Sequence, residues 1–277
     1  MIKLTRERSA QVIPDKYHGE KRITQAMRLM VGIGEKRVFD SSYWTAAKDQ
    51  LKQETAGKCA YCEASVVEVA HGDVEHFRPK GAYWWIAYCY DNYLFACQIC
   101  NQTYKGDNFP IRGTRLQTPS YTFPIADDTV QREEARVFAP DPLSSVEGLD
   151  WAVFAQQKTL EQAHLVNPYE EDPETLFEWE EASPGEIHIK AVSGNERAER
   201  ALSSSKKYLG LNRDTLCKSR YEQYKTVAFV YAIFQKEAPV SPEHKMAEAI
   251  LREAVSGDKK YTGMCRYFIR KVWGLPF

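Results

Sequence analysis

Residues 59–106 open with Cys59-Ala-Tyr-Cys62 and close with Cys97-Gln-Ile-Cys100-Asn101-Gln-Thr-Tyr-Lys105-Gly106, with Asp73-Val-Glu75-His76-Phe-Arg78-Pro79-Lys80 and Asp91-Asn92-Tyr93-Leu94 between them. Each C-x-x-C knuckle can turn both sulfurs toward one ion. The two knuckles, 34 residues apart, together supply four thiolates, the ligand set of a closed structural zinc. Four unrelated apolar cysteines would be the bland alternative, and two matching pairs argue against it. His71 could stand in for a thiol, but nothing requires it. A four-sulfur site has no open position, so this zinc is expected to organise the fold and not to perform chemistry. Cys89, Cys217 and Cys265 have no partner at ligand spacing and read as core residues.

The stretch between the knuckles holds what phosphodiester hydrolysis needs. Glu75 and Asn101 offer oxygen ligands to a hard divalent cation, with Asp73 as an accessory ligand. His76 titrates in the range of a base that activates water. Asn101 follows the second knuckle where a short helix should begin, and Lys105 lies one turn further on the same face, placed to meet phosphate. Arg78 and Lys80 are the other expected nucleic-acid contacts. Gly106 would end the helix or let a strand of nucleic acid approach. Asn92, five residues before the second knuckle, is expected to hold the loop that aims the histidine. One difficulty is geometric: strand alternation sends Glu75 and His76 to opposite faces. Both serve one site only if the strand bulges or ends between them, and Pro79 suits an early end. Taken singly they would be a solvated carboxylate and a surface histidine; the zinc staple around them is what raises them.

The rest of the chain reads as mounting. Of 277 residues 43% are hydrophobic and 27% charged, enough for a real core in one large domain or two small ones. The net charge of −1 excludes a global basic field, so nucleic-acid binding must rest on local patches. The first residues lack the apolar core of a signal peptide, and the longest apolar run, 227–234, is too short to span a bilayer. Seven cysteines, four of them in C-x-x-C pairs, fit a metal site in a reducing cytosol better than a disulfide framework. Residues 1–37 carry nine Lys/Arg against four Asp/Glu, read as a solvated face ahead of a phosphate-binding arm. A helix is expected over 16–30, and another over 43–55, capped by Ser41-Ser42 and packed on the zinc unit. Five prolines across 109–142 predict an irregular surface insertion. The nine carboxylates of 161–186, with no Lys or Arg, read as a solvated acidic face. Alternation on both sides of Ser183-Pro184-Gly185 predicts a hairpin. Helices follow at 195–208, 213–236 and 245–255. The basic, aromatic tail of 259–271 suits nucleic acid, but a packed amphipathic helix is the default.

The fold expected is therefore α+β and mainly helical. It comprises an N-terminal helical segment (1–58), the zinc-stapled core (59–112), an irregular insertion with an acidic hairpin (113–190) and a C-terminal helical region (191–277).

Glu75-His76, Asn92 and Cys97-x-x-Cys100-Asn101-x-x-x-Lys105-Gly106 resemble the HNH (ββα-metal, treble-clef-like) nucleases. The resemblance implies His76 as general base, Glu75 and Asn101 as ligands of Mg2+ or Mn2+, and Asn92 as the residue orienting the histidine loop. Two positions depart from that pattern. Glu75 replaces the usual Asp, which could move the metal, and Asn101 replaces a His, as it does in the HNH domain of RNA-guided nucleases. Glu75-His-Phe-Arg-Pro-Lys80, Tyr83-Trp-Trp, residues 91–97, Phe109-Pro110, residues 165–168 and Asp172-Pro173 narrow the match, over about residues 56–215, to PtuB-like HNH subunits of Septu-type antiphage systems, some of them retron effectors. That resemblance implies a bacterial cytoplasmic nuclease and a PtuA-like ABC/SMC-type ATPase partner, and for retron-linked members a reverse transcriptase with its msDNA. DNA ranks first as substrate, with RNA, tRNA included, as the variant. A zinc-ribbon binding module without hydrolysis would need neither Glu75-His76 nor Asn101, and no helix-turn-helix supports a stand-alone restriction enzyme.

Overall fold

Between the knuckles, strand β1 (Asp73–His76) pairs antiparallel with β2 (Tyr93–Ala96), Asp73 opposite Ala96 and His76 opposite Tyr93, with no shift of register. β2 is apolar because both its faces are covered; all four of its residues are fully buried. β1 runs through both Glu75 and His76 before it ends, so the bulge or early end expected between them is absent. After the second knuckle the chain winds into a wide, π-type helix (Ile99–Lys105), in which the Gly106 N–H reaches back to the Asn101 carbonyl at 2.7 Å. Gly106 then leaves it with a positive φ of 47°. In this computed structural model residues 1–31, 39–68, 70–122, 127–138, 140–143 and 149–277 are described, and these are α+β, about half helical, with two separate two-stranded sheets among them.

The N-terminal segment differs from expectation in detail. Asp15–Tyr17 form one tight 3-10 turn, His18 is extended, and α1 (Gly19–Val31) starts after it. The single helix expected over 43–55 is two: α2 (Ser41–Thr45), capped by the Asp40 side chain at 2.9 Å from the Ser42 N–H, and α3 (Lys48–Glu54). An Ala47 N–H to Trp44 carbonyl bond tightens the turn between them. Ala47 and Leu51 are fully buried in one cluster with Cys59 and Phe95, so this segment packs on the zinc unit.

The insertion is less irregular than its prolines implied. It holds α4 (Asp128–Arg136), capped by Asp127, and α5 (Leu149–Glu161). α4 is charge-rich and only Gln131 and Ala135 are buried, so its apolar stripe is thin; it packs on α1, with Glu20 pairing Arg132 and Arg136. Pro124 lies outside the described residues. The acidic block is not one solvated face either. Glu161 is fully buried, takes the Leu116 N–H at 2.9 Å and pairs with Arg78 at 2.7 Å.

The hairpin forms as β3 (Phe177–Ser183) and β4 (Glu186–Ala191), with Phe177, Trp179, Ile187 and Ile189 buried. α6 (Glu196–Leu209) ends at Gly210, whose left-handed φ of 60° and the Tyr104 ring, 2.5 Å from where a Cβ would stand, both require glycine. α7 (Asp214–Lys236) and α8 (Pro242–Ala254) pack together, and α9 (Thr262–Arg266) runs into a π-type turn (Tyr267–Val272). The aromatic residues of the tail are used in packing: Trp273 stacks on Tyr231 at 4.4 Å and Phe268 lies 4.5 Å from Tyr224. One buried cluster draws Leu51, Phe95, Phe177 and Ile269 from all four stretches of the chain. No helix among the described residues is long and apolar enough to cross a membrane.

Candidate metal centre and active cleft

The four knuckle sulfurs lie within 4.8 Å of one another, with Cys62 and Cys97 sulfurs 3.9 Å apart. Sulfurs on a tetrahedral zinc, bonded at about 2.3 Å, stand about 3.8 Å apart, whereas a disulfide needs about 2.05 Å. Cys59, Cys62 and Cys100 are buried and Cys97 partly so. The donor set and its spacing fit a structural zinc. Four thiolates on one divalent ion leave about two net negative charges, which a buried site must offset. Arg213, from the residue before α7, does so: its Nη1 donates to Cys100 Sγ at 3.6 Å and its Nη2 to Cys62 Sγ at 3.9 Å. Burial opposes its charge, but the Cys100 and Cys62 sulfurs more than compensate and hold its pKa above the usual value. Outer partners of this kind typically carry about 10- to 100-fold in metal affinity. Arg213→Met is therefore expected to lose zinc to a competing chelator that much more readily, with helical content unchanged by circular dichroism.

A cleft of about 360 Å³ opens beside the β1–β2 pair, lined by Trp44, Lys48, Asp73, Glu75, His76, Lys80 and Asn101 among others. A larger hollow of about 580 Å³, next to α5 and α6, takes only Arg78 from the residues singled out above. The smaller cleft is the one with the chemistry. His76 is 7% exposed, and its Nε2 lies 2.9 Å from the Ala87 carbonyl. Only a protonated Nε2 can donate to that carbonyl, so Nδ1 keeps its lone pair. Burial pushes the His76 pKa down to about 3, so the ring is neutral at ordinary pH. Trp44 and Tyr93 hold it edge-on, each with ring centroids 5.1 Å away.

Asp73 and Glu75 share the other face of β1, and the π-type helix meets them differently. The Asp73 carboxylate, partly exposed, accepts from Asn101 Nδ2 at 3.0 Å and Gln102 Nε2 at 2.9 Å. Glu75 is 3% exposed and its carboxylate meets Lys105 Nζ at 2.5 Å and the Tyr61 hydroxyl at 3.3 Å. Burial raises the Glu75 pKa, with Lys105 pulling against it.

Against known proteins, no protein-family model and no solved structure matches. The chain is 27% identical over 243 residues to Septu protein PtuB of Bacillus mycoides (strain KBAB4), a match covering 82% of this chain and 68% of that protein. The chain is PtuB-like.

In this PtuB-like chain the expected site residues come together unevenly. His76, Glu75, Asp73, Asn101 and Lys80 line one cleft. Asn92 is buried and holds both backbone polar groups of Arg78, its Oδ1 taking the Arg78 N–H and its Nδ2 giving to the Arg78 carbonyl, each at 2.9 Å. Two expected phosphate contacts are not on the surface. Lys105 is fully buried, spent on Glu75 and on the His76 carbonyl at 3.0 Å. Arg78 is 3% exposed and spent on Glu161. Glu75, expected as a metal ligand, already has an internal cation, and Asp73 is the carboxylate beside Asn101. The N-terminal basic residues are likewise not all solvated: Arg6 is inside, paired with Glu54 at 3.2 Å and lying over Tyr169. His71 is exposed and outside the sulfur cluster, while Cys89, Cys217 and Cys265 are buried. Trp44, Lys48 and Arg213 were missed. Trp44 falls in the stretch expected as the 43–55 helix, where nothing marks it from its neighbours, and nothing local ties Arg213 to cysteines more than a hundred residues away.

Proposed function

We propose that this PtuB-like chain is a metal-dependent HNH-type endonuclease that hydrolyses phosphodiester bonds, those of DNA ahead of RNA, and serves antiphage defence together with a PtuA-like ATPase. One observation carries the reading: His76, its Nε2 turned to a backbone carbonyl so that Nδ1 is left free, shares a cleft with the Asp73–Asn101 pair. Nδ1 takes the proton of the attacking water. Asp73 and Asn101 (its amide turned to present oxygen) would hold Mg2+ or Mn2+, which when bound supplies positive charge to the oxygen that becomes negative. Lys105 neutralises Glu75 under the strand; leaving that carboxylate alone there would cost about 3–5 kcal/mol. Asn92 pins the chain two residues past His76 and so keeps the ring aimed. Likeness to a Septu protein supports the defence role, and the near-neutral charge fits a nuclease that gains nucleic-acid affinity from a complex.

The test is cleavage of duplex DNA, single-stranded DNA and tRNA with Mg2+, alone and with a PtuA-like ATPase. Cleavage of none of them under any divalent cation overturns the proposal, and cutting of tRNA alone moves it to RNA. Asp73→Asn is expected to raise the Mg2+ concentration needed for half-maximal cleavage by at least about tenfold with folding intact. Glu75→Gln is expected to act first on stability, read as a lower melting temperature. The opposite pattern would return the metal to Glu75.

A further inference from the structure

Three of the chain's cations are turned inward onto acidic partners, and two at the cleft are not. Lys105, Arg78 and Arg6 are each spent on a buried carboxylate. Lys48 and Lys80, both half-buried on the cleft wall, pair with no carboxylate among the described residues. Trp44, half-buried near the end of α2, lines the same cleft. The Lys80 ammonium lies over its ring, 5.5 Å from the centroid, and its edge meets the His76 imidazole. Trp44 alone gives this otherwise polar cleft an aromatic lining, apart from the histidine itself.

An indole with one lysine over its ring and a second on the same cleft wall, neither in an ion pair among the described residues, offers what a single nucleotide needs: a surface for the base and a cation for each neighbouring phosphate. A base can lie on Trp44 only when it is not stacked and paired inside a helix.

We infer that Trp44, Lys48 and Lys80 form a nucleotide subsite beside His76, in which Trp44 stacks one unpaired base, so that the substrate is nucleic acid unpaired at the cut. This rests on the nuclease reading for its cleavage consequences. The lysines hold the phosphates on either side, and Lys80 leaves the ring for phosphate when the base arrives. Trp44 is then a specificity residue, and its contact with His76 ties the base's arrival to the position of the catalytic ring.

The experiment pairs changes in protein and substrate. A single-stranded oligonucleotide that the protein cuts is resynthesised with one abasic residue at each position around the cut. At one position the missing base is expected to slow wild-type cleavage roughly 10- to 100-fold, the range of one base–aromatic stack. Trp44→Ala should slow the intact substrate by a similar factor and be indifferent to the abasic change at that position, while Trp44→Phe recovers most of the rate. If the two losses multiply at every position, Trp44 acts only through packing and the subsite is refuted. Equal cleavage of fully paired duplex refutes the substrate class. Binding without added divalent cation separates this inference from the nuclease reading. An oligonucleotide carrying 2-aminopurine should be quenched by the wild type and not by Trp44→Leu. Quenching with no cleavage of anything keeps the subsite and removes the nuclease; cleavage with neither quenching nor an abasic effect does the reverse.

Discussion

Replacing His76 with alanine is expected to lower cleavage by about 10²- to 10⁴-fold, the usual contribution of a positioned general base, while one zinc per chain is retained. The imidazole lies across the strand from the sulfur cluster and makes one polar contact, to the Ala87 carbonyl, which Tyr93 also satisfies through its hydroxyl at 2.7 Å. Its loss therefore leaves no orphaned buried acceptor, and the fold survives. Cleavage retained within a few-fold would remove His76 as the base. The same residue sets a pH expectation. Its folded pKa, near 3, lies below the ordinary 6.5, so the ring stays neutral through the range in which a free histidine protonates. Wild-type activity should show no acid limb centred near pH 6.5. Stability should behave differently: below pH 6.5 the unfolded chain takes up a proton that the folded one refuses. Unfolding free energy from this group then falls by up to about 1.4 kcal/mol per pH unit toward pH 3, and His76→Gln should flatten that part of the curve. An acid limb near 6.5 in the wild type, absent from its stability curve, would point to another base.

Cys97→Ser is expected to lose zinc and with it the fold of the active cleft, seen as zinc content near zero by elemental analysis and a melting temperature lower by about 15 °C or more, or as insoluble protein. Structural zinc sites contribute about 10–16 kcal/mol in isolated fingers, comparable with the whole stability of an ordinary domain. Here the ion also carries architecture. Cys59 and Cys62 are buried against β2, Cys100 begins the helix that brings Asn101 and Lys105 to β1, and Arg213 ties the start of α7 to the same sulfurs. Without the metal, Arg213 would face thiols that hold its charge less well. A soluble, metal-free and active Cys97→Ser protein would refute the staple.

Much of the site was legible because its signals are short-range. The C-x-x-C spacing is a property of one turn of chain, and it correctly brought four sulfurs to one place. The strand neither bulges nor ends between Glu75 and His76, as one site had seemed to require, yet both line the cleft at the strand's end. α4 escaped notice because it is short and mostly charged, with Ala135 its one buried apolar side chain, and the break after Thr45 because the alanines and lysine that follow favour a helix.

The sequence by itself determined which residues could do chemistry: the thiols, the imidazole, the carboxylates and amide near it, and a likeness to PtuB. Only the tertiary structure decided which of them are free to do it. Lys105 and Arg78 differ from Lys48 and Lys80 not in type but in what faces them, Glu75 and Glu161 for the first two and an open cleft for the others. A side chain's charge is written in its own residue. Whether that charge is cancelled depends on a partner tens of residues away, and burial makes the cancellation obligatory.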